Sequence, residues 1–93
     1  MAVNYTERQF LSNDAADNPI DNSFVSVVVD KNASRDDVQE IAVTIFDGYE
    51  KIDFAGYSVD PSDKDFQKTV AKLERLISVL ERVVRAANGD EDV

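Results

Sequence analysis

The chain contains no cysteine and no histidine, which removes much of protein chemistry at once. No disulfide can form, and zinc, haem and iron–sulfur clusters lose their usual ligands. A histidine base and a cysteine nucleophile are excluded too. Glycine occurs only at Gly48, Gly56 and Gly89, so no glycine-rich loop exists to cradle phosphates. The longest apolar stretches, residues 24–29 and 41–46, are far too short to span a bilayer. The opening MAVNYTERQF has neither the basic start nor the apolar centre of a secretion signal. These absences predict a cytoplasmic chain with no membrane contact, no metal and no cofactor.

Carboxylates are abundant, and a pair of them can act as general acid and base. Among 19 acidic residues no pair stands out, so no catalytic residue is assigned and no enzymatic activity is expected. Asp14, Asp17 and Asp21, or Asp60, Asp63 and Asp65, offer oxygen ligands for calcium. Neither run has the spacing, central glycine or closing glutamate of a calcium loop.

What is present is one domain's worth of chain. The 93 residues are 43% hydrophobic, enough for a real core but not for two domains. Charge is the strongest compositional signal: 19 acids against 10 bases, net −9. Residues 1–62 hold 12 acids and 4 bases, residues 63–88 hold 4 acids and 6 bases, and Asp90, Glu91 and Asp92 follow. Such a field repels nucleic acid and anionic membranes and attracts basic surfaces.

Residues 3–12 read either as a short helix, opened by Thr6 and Gln9, or as an edge strand alternating through Tyr5, Glu7, Gln9 and Leu11. Residues 13–23 are a polar linker around Pro19. Three strands are expected at 24–30, 38–46 and 51–59, the last two joined by a turn at Asp47-Gly48, with Gly56 marking a bulge. A helix is expected from about Asp63 to Ala87. Ser62 and Asp65 form its capping box, and Asn88-Gly89 end it. The predicted fold class is α+β: an antiparallel three- to four-stranded β-meander with one long C-terminal helix packed on one face (β-β-β-α). Its organisation is an N-terminal segment and linker (1–23), the meander plus helix (24–89) and an acidic disordered tail (90–93).

Strand alternation fixes the faces. Val25, Val27, Val29, Ile41, Val43, Ile45, Ile52 and Phe54 share one apolar face, expected under the helix. The other face is mixed, with Phe24, Ser26, Val28, Ala42, Thr44, Phe46, Lys51, Asp53, Ala55 and Tyr57. Either residues 1–20 fold back over it, or a partner binds there.

The helix carries an unbroken heptad stripe: Phe66, Val70, Leu73, Ile77, Leu80, Val84 and Ala87. A helix on a sheet needs such a stripe, and so does a parallel two-stranded coil, for which β-branched residues at a and Leu at d are the usual choice. Leu76, Val79 and Val83 lie beside the stripe and widen the apolar surface beyond one packing face. A homodimer interface is therefore expected at Leu76, Val79, Leu80, Val83 and Val84.

Two functional expectations follow. The first is an acidic protein-binding domain whose surface at Asp36, Asp37, Glu40, Asp47, Glu50 and Asp53 meets a protein partner with a basic surface. Carboxylates spaced like phosphates can block a groove built for nucleic acid, the strategy of phage-type inhibitors that mimic DNA. The analogy is one of composition, and direct binding to nucleic acid is not expected. The second is a small homo-oligomeric structural or adaptor module assembled through the C-terminal helix. A surface kept acidic only for solubility explains the same charge without either function.

Overall fold

The computed structural model describes residues 3–31, 38–60 and 62–89. Four strands, β1 (Val3–Phe10), β2 (Phe24–Lys31), β3 (Gln39–Phe46) and β4 (Lys51–Ser58), precede one helix, α1 (Asp65–Ala87). The strands pair antiparallel in sequence order, β1-β2-β3-β4. The fold is an α+β meander with a C-terminal helix on the sheet.

Residues 3–10 thus form a strand. Tyr5 pairs with Val29 and Gln9 with Val25, extending the sheet sideways at its edge. They do not fold back over the mixed face, and that half of the expectation fails for a simple reason. The free N–H and C=O groups of β2 are best satisfied by another strand. The segment before β2 is also more ordered than a linker. Leu11 N donates to Ser23 O at 2.9 Å and Ile20 N to Ser12 O at 2.8 Å, so residues 11–23 close a long hairpin loop.

The predicted face parity holds. Val27 opposes Val43, which opposes Phe54, and Val25 opposes Ile45, which opposes Ile52. Pairing runs without interruption from Gln39↔Ser58 to Phe46↔Lys51, so Gly56 is not a bulge. Its lack of a side chain serves the helix instead. A β-carbon at Gly56 would stand 2.8 Å from Asp65 O and closer still to the Thr69 hydroxyl. Here α1 comes down onto β4, and Thr69 Oγ1 donates to Ala55 O at 3.0 Å.

The capping box also gives way to a longer-range arrangement. The Ser62 hydroxyl turns to Asp60, and the helix begins after Lys64 with no side-chain cap from that residue. Phe66 N instead donates to Ser58 Oγ on β4 at 2.9 Å, and Asp65 Oδ2 accepts from Tyr57 N at 2.8 Å. The end of β4 therefore both caps and anchors the first helical turn.

The core is small. Ile41, Val43 and Phe66 are its buried hydrophobic members, with Val25, Val27, Val29, Ile45, Phe54, Val70 and Leu73 packed around them. The sequence puts eight side chains of the sheet under the helix, but Ile52 remains 59% exposed. The helix comes down on β4 at Gly56, and Ile52 lies four residues further along the strand from that contact.

Candidate interaction surface

A helix of 23 residues is about 34 Å long. Its apolar stripe meets the sheet through Phe66, Val70 and Leu73. The same stripe then continues past the sheet as Ile77, Leu80 and Val84, which are 56%, 49% and 58% exposed. Val79 and Val83 beside it are exposed too, while Leu76 is half-buried. So α1 leaves its own sheet between Leu73 and Ile77, and about three turns project with their apolar side open.

Four of the five interface residues expected from sequence (Val79, Leu80, Val83 and Val84) thus lie together on this exposed half, with Leu76 at its root. Ile77 belongs with them and was not among the five. Its a position in the heptad was the available signal. Ile77, Leu80 and Val84 line a shallow apolar concavity bordered by Glu81 and Arg85.

The chain's dimensions carry the same imbalance. Its radius of gyration is 16.2 Å, against about 12 Å for a compact chain of its length. It exposes 7005 Å² of surface, where a compact monomer of 10.4 kDa exposes about 5400 Å².

The acidic residues are arranged differently. Asp36 and Asp37 lie outside the described residues, as do Asp90, Glu91 and Asp92. Glu40 sits at the start of β3, while Asp47 and Glu50 occupy the loop at its far end, seven residues and about 23 Å away. Asp53 faces the same side of the sheet as Glu40 and accepts a hydrogen bond from Thr44 Oγ1 at 2.7 Å. Asp47 and Glu50 thus share one loop, while Glu40 lies apart from them at the other end of β3.

Several aspartates have local work. Asp47 Oδ1 accepts from Glu50 N and Tyr49 N, both at 2.8 Å. Asp14 Oδ1 accepts from Asn18 N at 3.0 Å and Ala16 N at 2.9 Å. Asp21 takes the hydroxyl and N–H of Ser23, and Asp60 those of Ser62. These hydrogen bonds favour the ionised carboxyl and hold all four groups below the ordinary carboxylate value of 3.8. These four aspartates therefore close turns, as aspartate side chains do when they mimic a backbone acceptor. Among the described residues no three carboxylates are gathered so as to hold a metal ion.

On the mixed sheet face Val28, Lys51, Asp53, Ala55 and Tyr57 are exposed among the described residues. Phe10, Phe24 and Phe46 form a row across three strands, with ring centroids 6.2 and 5.4 Å apart, and the Arg8 guanidinium lies 4.6 Å from the Phe24 centroid. The aromatic and cation contacts hold the face together from within. No helix among the described residues is long and apolar enough to cross a membrane. Comparison with protein-family models, with curated proteins and with solved structures finds no match.

Proposed function

We propose that the chain is a small, non-enzymatic cytosolic interaction module that assembles with copies of itself through the projecting half of α1. The observation behind this reading is the stripe that serves the core up to Leu73 and then stands uncovered at Ile77, Leu80 and Val84. Scattered exposed hydrophobics are ordinary on a monomer, but a contiguous apolar face on a projecting element is a usual sign of an interface. Such an interface is held by apolar burial, so salt should leave it intact, unlike contacts between exposed charges. Sedimentation equilibrium in low and high salt tests it. Twice the 10.4 kDa chain mass in both conditions supports the reading, and a monomer at about 50 µM overturns it.

A second reading keeps the acidic surface as the working face, turned against the basic groove of a nucleic-acid-binding protein. One feature favours it: Asp30 and Glu40 are directly opposed across β2 and β3. Facing like charges cost stability, and a binding surface is a reason to retain them. Capture of such a partner at low salt, its displacement by added DNA, and loss of capture on reversing Asp30, Glu40, Asp47 and Glu50 form the test. Capture that survives the reversals sinks it.

A further inference from the structure

The open half of α1 also constrains how two copies can meet, and this step rests on the self-assembly reading above. Phe66, Val70, Leu73, Ile77, Leu80 and Val84 recur every three or four residues and so share one side of the helix. The sheet occupies that side up to Leu73. A parallel pair, which the heptad residue types suggest, would press both stripes together along their whole length. Both sheets would then have to occupy the same space between the helices. An antiparallel pair meets no such obstacle, because each sheet lies beyond the end of the other helix.

The overlap is limited for the same reason. The partner's helix ends at its Ala87, and that end must stop short of Leu73, where the first sheet begins. A two-fold axis at Leu80 would set the partner's Ala87 directly against Leu73, inside the sheet's space. An axis near Val83 sets it against Val79, clear of the sheet. The charges agree with the second register. Glu81 and Arg85 border the same concavity, and about Val83 they become reciprocal neighbours, Glu81 of each copy beside Arg85 of the other. Two opposite-charge contacts at the rim fix register more than they add affinity.

We infer that the occupant of the concavity at Ile77, Leu80 and Val84 is the same segment of a second copy, running antiparallel about a two-fold axis near Val83. The two sheets then point away from each other at opposite ends of a short two-helix stem. Each leaves its aromatic face, with Phe10, Phe24 and Phe46, free. The assembly is a bivalent display of one sheet surface.

Because the chain lacks cysteine, single introduced thiols report the arrangement without interference. Val84→Cys, Ile77→Cys, Leu80→Cys and Ala87→Cys proteins are oxidised separately, and the last two also as a mixture. The inferred arrangement expects Val84→Cys to cross-link with itself in most of the protein, because its two copies lie on the facing stripes one residue either side of the axis. Ile77→Cys should not, since its two copies would lie about 18 Å apart along the helices. The Leu80→Cys and Ala87→Cys mixture should give a mixed dimer. Self-cross-linking of Ile77→Cys shows a parallel pair, which overturns the inference and leaves self-assembly standing. Absence of every cross-link, with a monomeric mass for the unmodified chain, overturns both.

Discussion

Gly56 and Thr69 meet where the helix touches the sheet, with no room between them for a β-carbon. A methyl group at Gly56 would press on the Thr69 hydroxyl and on Asp65 O, an atom of the helix backbone that cannot rotate away. Gly56→Ala must therefore lift the first turns of α1 from β4, straining the 3.0 Å bond from Thr69 Oγ1 to Ala55 O. The expected loss is about 3 kcal/mol, the upper end for overpacking in a closely packed site. A urea titration of the Gly56→Ala protein checks this, and an unchanged midpoint would contradict the close approach.

The start of the helix makes a second, paired prediction. Ser58 is buried on β4 and its hydroxyl accepts the Phe66 N–H, whereas Ser62 is exposed and bonds only to nearby Asp60. Ser58→Ala leaves a helix-terminal donor without its acceptor and should cost about 1–2 kcal/mol. Ser62→Ala should cost less than about 0.5 kcal/mol, as for an ordinary surface position. Equal losses in the two proteins would return the cap to Ser62.

These two sites also show where sequence reading stops. Strand alternation announces which residues share a face, since one residue of slip would move every side chain to the other side. Val27, Val43 and Phe54 were therefore placeable from sequence. Asp14, Asp47 and Asp60 were placeable as turn formers, because an aspartate bonds to neighbours within four residues. Ser58 and Gly56 act on groups eight to thirteen positions ahead, Phe66 and Thr69, and no local pattern marks a partner at that range. Nor does the stripe reveal where it leaves the sheet. Leu73 and Leu80 are both d positions of the heptad, and only the angle between helix and sheet separates the core residue from the exposed one.

The turn aspartates predict a specific response to acid. Asp14, Asp21, Asp47 and Asp60 have folded-state values below 3.8, their ordinary value. A depressed carboxyl contributes stability that is fully present above its unfolded value and is lost as pH falls through its folded value. Stability should therefore fall below about pH 4. The bulk charge acts with the opposite sign, because protonating carboxylates relieves the repulsion of a chain at net −9. Asp47→Asn separates the two. Its amide oxygen can still accept from Glu50 N and Tyr49 N but does not titrate, so denaturant midpoints at pH 7 and pH 3 should differ less than in the parent. Identical pH dependence in both proteins would remove Asp47 from the acid response.

Assembly and stability should be coupled through α1. With Ile41, Val43 and Phe66 as its buried apolar residues, a single chain has a core at the small end for its length. A dimer interface adds stability by mass action, so melting becomes concentration-dependent. A tenfold dilution should lower the melting temperature by about 3–5 °C in a domain of this size. Replacing Ile77, Leu80 and Val84 together by Gln, Gln and Thr touches none of the residues that pack on the sheet. The variant should sediment as a 10.4 kDa monomer, keep its strand signal in circular dichroism, and melt lower at a temperature independent of concentration. A variant that remains dimeric would move the interface off α1, most directly onto the open edge strand β1, whose unpaired backbone groups are the next surface able to join two copies.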